Sequence, residues 1–462
     1  MVNKPQNPPL GDNKMGVMPV GKLLFTMSVP MMISMLVQAL YNIVDSIFVA
    51  QISENALSAV SLAFPLQTLM IAVGVGTGVG INALISRSLG AKNQETADRI
   101  ASVGILLALC SFVAFAILGA LFAGPFFRLQ TDVAEIVDYG TGYVRIVMCA
   151  SLGIFMQVTM ERLLQSTGRA KLSMICQLCG AILNIILDPI FIFGLFGMPR
   201  LEVMGAAVAT VIGQWVAAGI GLFFNLKFNP ELNLRMKYIR FHGPTIRNIY
   251  RIGVPSILMQ CISSVMVFFL NRILLSFTTT ATAVFGASLK LQSFIFMPIF
   301  GLNNGMVPII SFNYGAKKPD RLYKTIKLSV LTAVSIMAVG VILFEAVPQV
   351  LLGFFNPSEE MLRIGVPAMR IIASHFLLAG FCIPVITVCQ AIGNPLYSLI
   401  TSVCRQLGAL LPLAWLLSLT GNLNLVWLAF PLAELVSLLM SSIFLRKTLR
   451  KAKQELGEAE AF

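Results

Sequence analysis

Charge is what this chain has least of. Only 11% of its 462 residues are Asp, Glu, Lys or Arg, and 57% are hydrophobic. A soluble domain carries about 25% charged residues, so a water-covered surface over this whole length is excluded. Histidine occurs twice. With no DDxxD-type acidic cluster, that leaves little for metal-dependent or membrane-embedded catalysis, and the chain is read as a non-enzyme without a cofactor. All eight cysteines fall in apolar stretches, and Cys176 and Cys179 form a lone CxxC around Gln-Leu. Zinc modules and disulfide frameworks are thereby set aside. Gly74, Gly76, Gly78 and Gly80 are not followed by the Lys-Ser/Thr of a phosphate loop. They read as a close-packing helix face.

What the chain has is apolar length. Runs of about 20–28 residues cross ~30 Å of hydrocarbon at 1.5 Å per residue. Twelve spans are predicted, at roughly 22–50, 56–86, 98–125, 137–165, 171–196, 203–225, 248–276, 281–311, 322–346, 362–390, 396–419 and 422–445. Lipid satisfies no backbone polar group, so each must be a helix. The chain also repeats at an offset of 225 residues: Val29-Pro30 recurs as Val254-Pro255, Gly76 and Gly80 as Gly301 and Gly305, and Gly90-Ala91-Lys92 as Gly315-Ala316-Lys317. The expected fold is an all-α membrane protein of two pseudo-symmetric six-helix lobes. The predicted parts are a flexible cytoplasmic tail (1–20), an N-terminal lobe (21–225), a basic cytoplasmic linker (226–247), a C-terminal lobe (248–445) and a cytoplasmic tail (446–462).

Lys and Arg crowd alternate loops, as with Arg87 and Lys92, Arg169 and Lys171, or Lys317 and Lys318, while 51–55, 277–280 and 420–424 carry none. The positive-inside rule places both termini in the cytoplasm of a plasma membrane. The net charge of +13 is then matched by anionic lipid, and no nucleic-acid partner is needed. A monomer is expected.

An ionisable residue inside a span costs about 2.5–3.5 kcal/mol. Asp45, Arg145, Asp188, Arg272, Lys290, Arg370, His375, Arg405 and Glu434 each need a reason; Glu161 and Glu345, nearer span ends, read as headgroup contacts. Asp45 in span 1, Asp188 in span 5 and Thr210 in span 6 each lie six or seven residues from the outer end, a common depth of roughly 10 Å. Ser34, Gln38, Asn42 and Asp45 form one helical stripe, Asn184 and Asp188 are i and i+4, and Pro189 frees a carbonyl beside them. Hard oxygens with two carboxylates suit Na⁺ or a shared proton. Alternatively each Asp is neutralised structurally, with Arg145 at a similar depth as its partner. Asp45 and Asp188 correspond to Leu270 and Leu413 in the second half, so the set is not a shared packing device. Pro30 and Pro255 occupy matching places and read as hinges.

At these residues the chain resembles the multidrug and toxic compound extrusion (MATE) family, most of all its bacterial DinF-like and MepA-like branch. The carrying stretches include VPMMISMLVQALYNIVDSIFVAQISENALSAVSLAFP (29–65), VGVGTGVGINALISRSLGAKN (73–93), ERLLQSTGRAKLSM (161–174), LNIILDPIFIFGLFGM (183–198), GAAVAT (205–210) and PIFGLNNGMVPIISFNYGAKK (298–318). The resemblance implies export of drug-like cationic amphipathic compounds by alternating access, against inward H⁺ or Na⁺. It also implies a cation site at Asp45, Asn184, Asp188 and Thr210, and a bend at Pro30 linked to cation binding. Gln38, Tyr41, Asn42 and Arg145 are the candidates for substrate contact. The carboxylates that another branch carries on spans 7 and 10 are replaced here by Asn271-Arg272, Arg370 and His375. The alternative expectation is a lipid-linked precursor flippase of related fold, with Arg145, Arg272, Lys290 and Arg370 making a cationic cavity.

Overall fold

A computed structural model describes residues 13–234, 238–355 and 357–456. The positions 1–12, 235–237 and 457–462 of the expected tails and linker lie outside the described residues. Helices fill the sequence-predicted spans and no strand occurs among the described residues. The first lobe runs Val20–Ala50, Glu54–Gly90, Gln94–Arg128, Ala134–Cys149 with Leu152–Ser166, Ala170–Phe193 and Val203–Phe228. The second runs Gly243–Leu275, Thr279–Gly315, Pro319–Ala346, Glu359–Ala373 with Phe376–Ile392, Pro395–Ser418 and Leu423–Leu456. These are spans 1–12. The linker between lobes is shorter than expected, because helix continues to Phe228 and resumes at Gly243. It is held to the first lobe by a two-pronged Arg169–Glu231 pair at 2.8 Å and by burial of Leu232.

The duplication persists in single hydrogen bonds. Ser86 Oγ donates to the Ser166 carbonyl at 2.9 Å, and Ser311 Oγ to the Ala391 carbonyl at 2.9 Å. Asn55 meets Glu135, and Thr280 meets Glu360. Spans 4 and 10 are also broken alike, by 46° and 49°. These breaks fall at residues 150–151 and 374–375, not at the two expected hinges; spans 1 and 7 are continuous through Pro30 and Pro255. In span 10 the Ser374 hydroxyl and the His375 ring each bond a carbonyl three residues back. Such bonds compete with the helix ladder. No equivalent side-chain bond marks the break in span 4. Span 11 widens to a π-helical stretch over Cys404–Leu410, just before Pro412, whose missing N–H leaves the Gly408 carbonyl without its helical donor.

The face bearing the Lys/Arg-rich loops, here the basic face, is where the lobes meet. The glycine run supplies half of that contact. A Cβ added to Gly76 would sit 2.4 Å from Ile257, and one on Gly80 2.4 Å from the Ile249 carbonyl, both on span 7. Their repeats Gly301 and Gly305, on span 8, would meet Met32 at 2.5 Å and Ser28 at 2.6 Å on span 1. At the span ends, a Cβ added to Gly90 would lie 2.0 Å from the Phe312 carbonyl and one on Gly315 2.1 Å from the Arg87 carbonyl. Gly78 instead faces Arg162, inside its own lobe. The small residues thus bring backbones together across a two-fold seam.

Residues 13–18 depart from the flexible tail expected over 1–20. A short helix, Lys14–Val17, buries Met15 completely. Asn13 donates to the Thr167 carbonyl of the first lobe at 3.4 Å. From the second lobe, Arg321 donates to the carbonyls of Met15 at 3.0 Å and Met18 at 2.6 Å, Asn313 to Met15 at 3.1 Å and Lys318 to Gly16 at 2.9 Å. This segment is a strap across the seam, and polar composition concealed it because its backbone makes the bonds. Burial, and then the Arg169 guanidinium, hold the Lys14 ammonium below the ordinary lysine range. Each charge-assisted bond contributes about 1.5–3 kcal/mol. Arg321→Ala is therefore expected to speed native-state tryptic cleavage at Lys14 about tenfold or more, read by mass spectrometry. An unchanged cleavage rate would show that the strap does not depend on these bonds. The other terminal segment also differs: span 12 stays helical to Leu456 and buries Thr448 and Ala452.

Candidate functional site

A cavity of about 580 Å³ lies wholly within the first lobe. Two glycines set its polar wall. A Cβ on Gly180 of span 5 would lie 2.9 Å from the Gly213 carbonyl of span 6, and the reverse approach is 2.7 Å. This close crossing brings the next helical turns together. Asn184 Nδ2 donates to Thr210 Oγ1 at 3.2 Å and to Asp188 Oδ1 at 3.3 Å. Asp45 faces the same cavity from span 1, which is tied to span 5 by a 2.8 Å bond from Gln177 to Gln38. The common depth of these residues thus becomes proximity. Tyr41 and Asn42 line the cavity beside them.

The cluster is short of donors. Asp45 Oδ1, Asn184 Oδ1, Asp188 Oδ2 and Gln214 Oε1 are each buried without a hydrogen-bond partner. Buried acceptors are almost always paired, and an unmatched set of oxygens is the complement of a cation or an added proton. Among the described residues no group of three or more His, Cys, Asp or Glu could hold a metal ion. Amide and hydroxyl oxygens, from Asn184, Gln214 and Thr210, stand beside the two carboxylates.

Arg145 is exposed and does not line the cavity. It therefore serves neither as the expected substrate contact nor as an observed partner of the aspartates. Its span turns the preceding residues, Tyr143 and Val144, inward instead. Glu161 departs the other way. Read as a headgroup contact, it is buried, lines the cavity and accepts from Gln157 Nε2 at 3.0 Å. The adjacent Arg162 is also buried, but its guanidinium turns to Gln165 and, across the seam, to Asn304 of span 8, both at 2.9 Å. The strap and the second lobe cover this end of span 4, so nearness to a span end did not mean nearness to water. The adjacent Glu-Arg pair within ERLLQSTG was the signal available. Gln67 and Tyr143, joined at 2.7 Å, are further lining residues that periodicity did not single out.

The basic residues of the second half lie away from the cavity. Arg370 pairs with Glu345 at 3.7 Å, Arg272 sits over the Phe268 ring, and Lys290 is exposed. His375 stacks on Phe430, and Arg405 bonds the buried Glu434 at 3.1 Å. The cationic cavity expected of a precursor flippase is therefore not formed by Arg145, Arg272, Lys290 and Arg370.

The MatE family model matches twice, over residues 30–190 and 255–416. A multidrug export protein MepA of Staphylococcus haemolyticus is 28% identical over 447 residues, covering 95% of this chain and 97% of its own. An FAD transporter of Shewanella oneidensis is 26% identical over 428 residues, covering 90% and 92%. A solved structure described as the outward-facing conformation of a multidrug resistance MATE family transporter of the MOP superfamily has a TM-score of 0.91 at 25% identity. It covers 97% of this chain and 100% of that one. Both halves are matched in the register of the internal repeat and the likeness runs the length of the chain, so this protein belongs to the MatE family of multidrug efflux transporters.

Proposed function

We propose that the protein is a cation-coupled antiporter that exports cationic amphipathic compounds from a bacterial cell. The observation that carries this reading is the donor-poor cluster of Asp45, Asn184, Asp188 and Thr210 at the wall of the first-lobe cavity. Under the positive-inside rule the basic face is cytoplasmic, so both termini are cytoplasmic and the seam of glycines is an inner gate. An ion entering from outside, H⁺ or Na⁺, reaches Asp45 from the cavity and supplies the missing partner to Asp188. Entry of one charge down 100 mV releases about 2.3 kcal/mol, which the outward passage of a monovalent cation consumes, so a one-for-one exchange is driven by the ion's concentration gradient. A cationic drug is attracted by the acids that the cavity presents, Asp45 and Glu161, while Arg162 is engaged elsewhere. Ion and drug thus compete for the same negative field, and binding of one lowers affinity for the other.

The test is efflux of a fluorescent cationic dye from proteoliposomes, with Na⁺ and H⁺ gradients imposed separately. Movement against the dye gradient, driven by one ion only, is expected and names the coupling ion. Dye that moves at the same rate with and without both gradients would sink the antiport reading.

A further inference from the structure

A second cavity, of about 350 Å³, opens on the basic face where the lobes meet. Its charged and polar lining comes from both. Arg87 ends span 2 of the first lobe. Arg251 begins span 7, Tyr314 ends span 8, Asn394 precedes span 11, and Lys451 and Glu455 lie in the last turns of span 12. A neighbouring pocket shares Arg251 and adds Arg247. Three cations, Arg87, Arg251 and Lys451, therefore line the groove with one carboxylate.

That carboxylate offsets one charge at most, so the groove keeps a positive excess. Glu455 accepts a hydrogen bond from Tyr314, while Arg87 and Lys451 stand off at 4.0 and 3.9 Å. Those separations are too long for hydrogen bonds. Arg87 instead lies over the Tyr314 ring, 4.7 Å from its centre. Arg251 is exposed and makes no ion pair recorded among the described residues. Asn394 precedes the helix that begins at Pro395, yet its side chain makes no capping bond. Gly393, at φ +104°, turns the chain just before it. The positive end of a helix thus adds to the same field.

The place matters as much as the charge. All these residues lie at span ends on one face, the level at which lipid phosphates sit. We infer that this groove binds a phosphate-bearing anion, either an anionic lipid headgroup or a soluble phosphate ester. Its cations belong to different lobes, so the full set converges only while the lobes are together on the basic face. A bound phosphate therefore stabilises that arrangement over its opposite, by the ratio of its affinities for the two.

The test uses the full chain, purified and delipidated in a neutral detergent. Phosphatidylglycerol, phosphatidylcholine and glycerol phosphate are titrated separately, and binding is read as retained adducts in native mass spectrometry and as a rise in Tm. Wild type is expected to hold phosphatidylglycerol in preference to phosphatidylcholine. The double variant R251Q/K451Q should weaken this by about 100-fold or more, as loss of two charge-assisted bonds requires. A matched variant, K92Q/K317Q, removes the same charge from exposed positions outside the groove and should bind as wild type does. If glycerol phosphate binds as tightly as the lipid, with the same loss in R251Q/K451Q, the anion is a soluble one. The inference is overturned if R251Q/K451Q retains wild-type binding, or if K92Q/K317Q loses as much. Binding is measured without any ion gradient, so the outcome is independent of the antiport reading.

Discussion

Asp188→Asn is expected to reduce gradient-driven dye accumulation to the leak rate, in folded protein that still binds dye. The substitution keeps shape and removes the charge. Asp188 is wholly buried, and one of its oxygens has no partner. Asparagine places either an oxygen or an NH₂ there and binds neither H⁺ nor Na⁺ as a carboxylate does. The stakes follow from the driving force. In a one-for-one exchange with a monovalent cationic dye the electrical terms cancel, so a tenfold ion gradient, about 1.4 kcal/mol, sustains a dye ratio of about tenfold. Without the carboxylate that ratio falls towards one. Asp45→Asn should act in the same direction, since its unpaired oxygen faces the same cavity. Dye binding, measured by fluorescence polarisation, should change by no more than about threefold for Asp188→Asn because Asp188 stands behind Asn184. Full coupled efflux by both variants would remove this cluster from the mechanism.

Gly305→Val should hold the lobes apart on the basic face. An added Cβ there would lie 2.6 Å from Ser28 Oγ, 2.7 Å from its Cα and 2.8 Å from its nitrogen. Two of those atoms are backbone and cannot rotate away. Overpacking of this kind costs typically about 1–3 kcal/mol, and here only the sealed arrangement bears the cost. The sealed population should therefore fall about 5- to 150-fold relative to the open one. Spin labels at positions 92 and 317 would report a longer distance, and export would slow in parallel. Gly286→Val is the control on the same helix, because nothing lies within 4 Å of its Cβ position. An unchanged label distance in Gly305→Val would mean that the seam is more compliant than its geometry implies.

The architecture was legible because two rulers apply to a membrane chain. Hydrocarbon thickness fixes span length, and the 1.5 Å rise fixes depth. Depth alone placed Asp45, Asp188 and Thr210 on one level, and helical spacing added Asn184. The same rulers do not give azimuth. They could not tell that Arg145 points away from the cavity while Tyr143, two residues earlier, points in. Nor do they register what covers a span end. Glu161 lies at a depth that reads as headgroup, yet it is buried and turned into the first-lobe cavity. The bends near 150–151 and 374–375 were not legible because they arise at residues without the signature of proline. Spans 1 and 7 run through their prolines because one lost hydrogen bond leaves the neighbouring ladder intact.

The strap also imposes an order on biosynthesis. Its residues are made well before the Arg321 that fastens Met15, which follows 306 positions later. At about 5–20 residues per second that interval is roughly 15–60 s. Throughout it the first lobe can insert and pack while its share of the seam lacks a partner. Fastening of the segment at 13–18 thus waits until span 8 and the start of span 9 have been synthesised, so a segment made before the first lobe is secured only after that lobe is complete.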